Sequence, residues 1–496
     1  MNMKMIAAAC VAFCGASAFA AVTPSCNTTA AAADGVTLLK TCAPEITFYG
    51  AGATAMKSAI QAVLVADGKV FDKSKPFVTV NLSGNTNAYA YYGYGAAGKS
   101  YAGKRVAVIV NGTNGSMAGV NQLLTNLKTG SVENGVDQQE YKTIQLHTAA
   151  AQKAGNAMPD ADVTVTTAST LAPVVTLAST RVADFKTAWG VDKQKVAHMA
   201  FSDVRPSEAT PGQIAKWDAK AFPSETIAMQ GFGVLVNTAM YKALQTRDIA
   251  AKRMDSACQD DLTTAACQPN IFTPDYTALM TGKVTSAADL GLTGTLTFNR
   301  RPASSGTQAA TQIRFAGEAN YMGKTPLATG FDMAGAEITN TTGVAVGDVT
   351  VKTWSGTGDL ITGIRTGSGL QIGVASLDNS AASKLGATST VARADQQAFW
   401  VKLDGQSPDF TGTSTTALDS KYRTALLNGY SFAMEFQTLK SAKLAGDYSA
   451  IYSDIVAGLK DPAANLTGIA YIGSTDSTKN TAWTRGGNNF FPLNKY

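Results

Sequence analysis

Apolar runs, glycine turns and helical patterns follow one another in a fixed order near the start of this sequence. Ile46 to Tyr49 has the pattern of a short strand, and glycines directly after it permit a tight turn. The next apolar residues recur at i, i+4, i+7 and i+8, which places them on one helical face: Met56, Ile60, Val63 and Leu64. The segment predicts a strand, a turn and a helix, with Thr54 as the candidate N-cap.

The same order occurs twice more along the chain. Val106 to Val110 predicts a buried strand, and Ser116 in the following loop can cap the next helix. Leu296 to Phe298 predicts another strand, and Ser305 with Gln308 forms the S-x-x-Q pattern of a capping box. Strands that alternate with helices indicate an α/β fold, in which ligands bind where strand carboxyl ends meet helix N-termini.

These three turns have the composition of an anion site. Helix N-termini attract phosphate groups, and hydroxyl side chains add further donors. Arg301 lies four residues before Ser305 and offers a fork of donors that matches phosphate oxygens. Taken alone, each turn is also compatible with an ordinary strand–helix connection, and Arg301 with a surface residue.

A fourth turn adds a carboxylate. Lys195 to Phe201 predicts a strand, and Ser202 and Asp203 enter a turn that Pro206 ends. An aspartate can accept a hydrogen bond from protonated phosphate, whereas sulfate has no proton to donate. Because an unpaired buried acceptor costs about 1–3 kcal/mol, Asp203 would select phosphate over sulfate. The alternative is a simple Asx turn.

The stretch GYGAAGKS, residues 93–100, matches the expression G-x-x-x-x-G-K-[ST] of nucleotide-binding P-loops. A P-loop joins a buried strand to a helix. Here polar, tyrosine-rich sequence precedes Gly93, and the strand-like run KRVAVIV follows Gly103. We therefore predict a hairpin loop and no bound nucleotide.

The composition is that of an ordinary globular protein. The 496 residues are 45% hydrophobic and 16% charged with a formal charge of +5, which excludes disordered and fibrous classes. The length predicts two or more lobes, and no long basic run indicates a nucleic-acid partner. Lys4, an apolar run and the sequence AFA at 18–20 predict a signal peptide over residues 1–20. Since no later apolar run could span a membrane, we expect a soluble periplasmic or secreted protein.

Four cysteines remain after that cleavage: Cys26, Cys42, Cys258 and Cys267. An even number in an oxidising compartment predicts two disulfides, and proximity favours Cys26–Cys42 and Cys258–Cys267 among three possible pairings. The first pair would close an N-terminal extension over residues 21–42. The cysteine spacing is unlike that of metal ligands, and His147 and His198 are far apart, so we expect no metal and no cofactor.

In this order, the pieces resemble the periplasmic phosphate-binding proteins of ABC importers. GAGAT (50–54), GSMAGVNQ (115–122), FSDV (201–204) and RPASSGT (301–307) are similar to that family's glycine turn, serine turn, aspartate turn and arginine motif. The resemblance spans roughly residues 44–440 and implies a two-lobed, hinged type II periplasmic-binding-protein fold. It implies lobe I over 43–228 and 376–496, lobe II over 229–375, and β-rich insertions near 80–113 and 125–195.

The resemblance also implies which residues face the ligand. One lobe would contribute Thr54, Ala55, Ser116 and Asp203. The other lobe would contribute Arg301, Ser305, Gly306 and Thr307. An aromatic residue is usual in the family at the position that Ala55 takes here.

By this resemblance the chain is an exported solute-binding protein that binds inorganic phosphate between two lobes, for ABC-type uptake with an ABC permease as partner. The alternative is an extracellular or cell-surface structural or adhesive protein on the same fold, with a different or lost ligand. The tyrosine-rich insertion and the low charge motivate that alternative. We do not expect an enzyme, because the sequence has no G-x-S-x-G elbow and strand alternation makes His198 a core or satisfied histidine.

Overall fold

The computed structural model describes residues 34–112, 115–124, 132–133, 136–137, 142–144, 146, 158–169, 171–184, 197–205, 223–317, 326–379, 384–387, 393–409, 432–441, 444–461, 469–471, 483–484 and 494–495. The predicted signal peptide, Cys26 and His147 lie outside these residues.

The strands of the described residues are numbered in chain order. They are β1 (Ile46–Gly52), β2 (Phe77–Leu82), β3 (Asn85–Tyr94), β4 (Arg105–Asn111), β5 (Val132–Glu133), β6 (Val136–Asp137), β7 (Lys142–Ile144), β8 (Val163–Thr167), β9 (Val174–Leu177), β10 (Val182–Asp184), β11 (Met199–Ser202), β12 (Ser224–Asn237), β13 (Asn270–Ile271), β14 (Leu296–Arg300), β15 (Val344–Val346), β16 (Val349–Thr353), β17 (Leu370–Ser376), β18 (Ala398–Trp400), β19 (Lys402–Leu403), β20 (Ala433–Lys440), β21 (Ile469–Tyr471), β22 (Trp483–Thr484) and β23 (Asn494–Lys495).

The α-helices of the described residues are numbered in the same way. They are α1 (Gly35–Thr41), α2 (Lys57–Val65), α3 (Gly115–Leu124), α4 (Thr238–Ala250), α5 (Thr273–Met280), α6 (Gly306–Ala316), α7 (Pro326–Thr329), α8 (Thr357–Thr366) and α9 (Gly446–Lys460).

Most strands belong to one large mixed sheet. Its order is β15-β16-β14-β17-β12-β20-β11-β1-β4-β3-β2-β9-β8, and β18 and β21 also pair with β12. The sheet with its helices confirms the predicted α/β class. Part of the second predicted insertion, β8 and β9, extends the sheet beyond β2.

Strand β12 belongs to two halves of this sheet. Its first residues pair with β20, which leads through β11 to the parallel strands β1 and β4. Its last residues, Phe232 to Val236, pair with β17, which leads to the parallel strands β14 and β16. We call these the first half and the second half of the sheet. The predicted lobe boundaries and the hinge stay predictions.

The central strands are buried on both faces, as parallel strands covered by helices are. Every residue of β14 and of β17 is buried, including the polar Asn299 and Arg300 at the end of β14. The apolar core packs on both sides of the sheet. The polar ends of these strands are therefore enclosed by protein, which positions the candidate site described below.

The P-loop-like stretch is a hairpin loop, as predicted. Strands β3 and β4 pair antiparallel on either side of it. Lys99 pairs with Asp454 of α9 at 2.6 Å, and Ser100 donates to Asp447 of α9 at 2.8 Å. Tyr101 also donates to Asp454, at 2.6 Å. The lysine and serine of the motif thus bind carboxylates of α9, so these contacts hold the loop against that helix.

One predicted disulfide is confirmed and the other lies partly outside the described residues. Cys258 and Cys267 are bonded. Cys42 is also disulfide-bonded, and its predicted partner Cys26 is not among the described residues.

Candidate functional site

Three polar turns of the first half lie at one edge of the sheet. Strands β11, β1 and β4 are adjacent and parallel, so their carboxyl ends meet there. The turn after β1 carries Thr54, the turn after β4 leads into Ser116, and β11 leads directly into Asp203. The topology therefore brings together three segments that are far apart in the sequence.

The second half contributes Arg301, which is 1% exposed. Its Nη1 donates to the hydroxyls of Thr357, at 2.6 Å, and Thr54, at 3.2 Å. Its Nη2 and Nε donate to the carbonyls of Ser355, at 2.8 Å, and Trp354, at 2.9 Å. All three guanidinium nitrogens therefore have protein acceptors, and the contact with Thr54 joins the two halves.

Asp203 is the carboxylate of the site and is also 1% exposed. Ser116 Oγ donates to its Oδ1, and Thr307 Oγ1 donates to its Oδ2 at 3.3 Å. Because Ser116 belongs to the first half and Thr307 to the second, this carboxylate also joins the two halves.

The N-termini of α3 and α6 approach each other closely at Asp203. Met117 N donates to the carbonyl of Ser304 at 3.0 Å. Gly306 lies so close to Asp203 and Ser116 that a Cβ atom added to it would collide with both side chains. Since helix N-termini carry partial positive charge, their approach stabilises a negative charge at this point.

Burial shifts both ionisable groups of the site toward their neutral forms. Burial lowers the pKa of Arg301 to about 10, and the nearby carboxylates of Asp203 and Asp359 oppose that shift. Burial raises the pKa of Asp203, and the hydrogen bond from Ser116 opposes that shift. The site is therefore desolvated, and each charged group stabilises the charged form of the other.

The predicted capping role is wrong for Thr54 and Ser116, and for Ser305 the N-cap position is right but the capping box is absent. Thr54 begins a short 3₁₀ helix whose N-cap is Ala53, and its hydroxyl bonds to Arg301 instead. Ser116 lies inside α3 and donates to Asp203. Ser305 is the N-cap of α6, but its side chain makes no capping bond, and Gln308 Oε1 accepts from Arg301 N at 3.3 Å.

The remaining predicted site residues lie in the same turns. Ala55 belongs to the 3₁₀ helix Thr54–Met56, whose first residue contacts Arg301. Gly306 and Thr307 are the first residues of α6 and surround the Asp203 carboxylate.

Sequence reasoning missed the turn between β16 and α8. Its Thr357 accepts the shortest hydrogen bond from Arg301, and Ser355 and Trp354 supply carbonyls. The sequence VTVKTWSGTGDL has the same signal as the predicted turns, because an apolar run precedes Gly, Ser and Thr at a helix start.

His198 is a satisfied, partly buried histidine, one of the two predicted alternatives. Tyr49 N donates to its Nδ1 at 2.9 Å, and its ring stacks on Tyr448 and Phe48. Within the described part of the chain, no group of three or more His, Cys, Asp and Glu side chains could hold a metal ion. No described helix has the length and apolarity that crossing a membrane requires.

Comparison with solved structures returns substrate-binding proteins of phosphate ABC transporters. They include a putative one with bound phosphate from Clostridium perfringens (TM-score 0.27, 13% identity, 52% of this chain and 72% of that chain). Others are an ABC-type phosphate transport receptor from Vibrio cholerae (0.27, 13%, 54% and 76%) and a phosphate binding protein from Stenotrophomonas maltophilia (0.28, 15%, 52% and 66%). No family model matches the sequence, and comparison with curated proteins finds no match.

Proposed function

We propose that this chain is an exported solute-binding protein that binds inorganic phosphate between the two halves of its sheet. The protein would deliver phosphate for ABC-type uptake, with an ABC permease as its partner. The observation that carries the proposal is the joint burial of Arg301 and Asp203 among hydroxyls from both halves. A buried cation with hydroxyl donors and two helix N-termini is suited to a desolvated oxyanion.

Asp203 supports phosphate over other oxyanions. Phosphate at neutral pH carries at least one proton and can donate it in a hydrogen bond to the carboxylate, whereas sulfate cannot. Asp203 already accepts from Ser116 and Thr307, and a further lone pair that faces sulfate without a donor costs about 1–3 kcal/mol, which corresponds to about fivefold to 150-fold weaker binding. The same carboxylate can therefore accept phosphate and reject sulfate.

Calorimetric titration of phosphate-stripped mature protein with phosphate, arsenate and sulfate tests the proposal. We expect one phosphate per chain, similar binding of arsenate and little binding of sulfate. Arg301→Met should weaken phosphate binding by about a hundredfold or more, because it removes a buried charge-assisted donor set. Arg253→Met is the matched control, since Arg253 is half exposed and pairs with Asp248 outside the site.

Asp203→Asn separates selectivity from affinity. The amide can donate to an oxyanion, so we expect sulfate affinity to rise relative to phosphate. Unchanged discrimination in this variant would contradict the role given to Asp203, and phosphate binding by Arg301→Met at the original affinity would contradict the site.

A specific observation favours the second candidate, a structural or adhesive protein on this fold. The Asp203 carboxylate already accepts from Ser116 and Thr307, and every guanidinium nitrogen of Arg301 already has a protein acceptor. In this reading Asp203 is an internal anion that fastens the two halves together. Lack of phosphate binding, with Asp203→Asn lowering thermal stability, would favour it, as would location of the protein on the cell exterior.

A further inference from the structure

Arg300, the residue before Arg301, is a buried cation without a paired carboxylate. Its side chain is 2% exposed. Its Nε donates to the Arg301 carbonyl at 3.1 Å, and its Nη1 reaches the Pro326 carbonyl at 3.4 Å. Its Nη2 has no hydrogen-bond partner, and none of the ion pairs among the described residues includes Arg300. The charge of Glu337, an exposed residue, acts on Arg300 without forming an ion pair with it. Because a buried charge without a close partner is strongly unfavourable, this arrangement calls for a closer counter-ion.

Two further buried donors near Arg300 also lack partners among the described residues: Thr353 Oγ1 and Gln308 Nε2. Thr353 is the register neighbour of Arg300 on the parallel strand β16, so both side chains leave the same face of the sheet. Gln308 contacts the backbone of Arg301, which the Arg300 guanidinium also contacts. The three unpartnered donors therefore belong to residues at, beside or in contact with the end of β14.

The contacts of Arg300 are separate from those of Arg301. Arg301 reaches Thr54 and Thr357, whereas Arg300 reaches Pro326 at the start of α7. The backbone of Gly330 closes over the Arg300 guanidinium, since a Cβ added there would lie 2.6 Å from Nη1. Backbone therefore limits the space on the Nη1 side of this guanidinium, so a ligand beside it would have to be small.

We propose that Arg300, Thr353 and Gln308 hold a small monovalent anion, of the class of halide or nitrate, at a second site behind the candidate phosphate site. The anion neutralises Arg300 and accepts from Arg300 Nη2, Thr353 Oγ1 and Gln308 Nε2. Its role is to balance the positive charge that Arg300 places at the end of β14. This proposal does not depend on phosphate being the ligand of the first site.

Thermal unfolding of the mature protein in phosphate-free buffer tests the site, with bromide replacing gluconate at constant ionic strength. Because the anion binds the folded state, the melting temperature should rise with bromide over about a hundredfold range, with a linkage slope of one ion per chain. Arg300→Met and Thr353→Val should abolish or weaken that dependence. Arg253→Met, which changes an arginine outside the site, should retain it.

Gln308→Glu gives the sharpest variant. It keeps an oxygen for Arg301 N and places a carboxylate where the unpartnered amide nitrogen lies. We expect a higher melting temperature at low bromide and no further rise with bromide, because the carboxylate replaces the bound anion. This outcome distinguishes a counter-ion site from simple damage to the fold, even if Arg300→Met does not fold.

Crystals grown in bromide give the direct measurement. An anomalous peak in contact with Arg300 Nη2 supports the proposal. Absence of that peak, or the same bromide dependence in the wild type and in the Thr353→Val and Gln308→Glu variants, overturns it.

Discussion

Asp378 should make this protein lose stability as the pH rises toward neutrality. It lies in the 3₁₀ helix Leu377–Asn379 directly after β17 and is 5% exposed. Burial raises its pKa from 3.8 to about 7. The charge of Asp203 also raises this pKa, whereas the charge of Lys384 lowers it. The unfolded chain has the ordinary value, so between about pH 4 and pH 7 the folded state binds more protons than the unfolded state.

The size of the effect follows from the two pKa values. A shift of about three units corresponds to about 4 kcal/mol, which is the full cost of the charged carboxylate above its folded pKa. Between pH 5 and pH 8 the expected loss is about 3 kcal/mol, since part of the cost is already present at pH 5. Asp378→Asn removes this cost and keeps an oxygen that can accept from Asn379 Nδ2, as Oδ1 does now at 2.9 Å.

Chemical denaturation of both proteins at pH 5, 6, 7 and 8 measures the effect. The stability advantage of Asp378→Asn should grow by about 3 kcal/mol across that range. Lys384→Met removes the charge that favours the carboxylate and should move the transition to higher pH. An advantage that stays constant with pH, or shrinks as pH rises, would refute the reasoning.

Three further predictions concern contacts that hold the fold together. Gly306→Ala should lower stability by about 1–3 kcal/mol or more, because its methyl group collides with Asp203 and Ser116, whereas Gly358→Ala, with open space around it, should be neutral in the same thermal melt. Asp454→Asn should cost about 1–2 kcal/mol in denaturation, because it removes the negative charge and one of the two oxygens that accept from Lys99 and Tyr101; an unchanged midpoint would show that the loop needs no anchor on α9. Replacing Cys258 and Cys267 together by Ala should cost about 2–3 kcal/mol on the chain-entropy model, and equal stability of that variant and the wild type would contradict it.

Local patterns were sufficient for the strands and for the order of the turns. The strand predicted over Ile46 to Tyr49 is present and continues to Gly52, and the one over Val106 to Val110 extends by one residue at each end. A continuous apolar run predicts a strand that is buried on both faces, and this signal depends only on residues that are neighbours in the sequence. The predicted meeting of Ser116, Asp203 and Arg301 came from the resemblance to phosphate-binding proteins, and the rule on strand carboxyl ends added a physical reason for it.

Local patterns failed where a side chain has a partner far along the chain. Serine is a common N-cap residue, but the hydroxyl of Ser116 donates to Asp203, which lies 87 residues away. Thr54 likewise bonds to Arg301, 247 residues away. A capping rule compares only partners within one helical turn, so it cannot weigh a tertiary acceptor against a local one. Thr357 was missed although its turn has the same pattern as the others.

The place of β20 in the sheet fixes the order in which the fold can be completed during synthesis. It lies between β11 and β12, which are both made before residues 238–432. Until β20 emerges, the strand edges it will fill stay open, and open edges are templates for aggregation. A nascent or truncated chain that ends before residue 433 is therefore expected to need a holding chaperone, whereas the full-length chain closes its sheet in one late step.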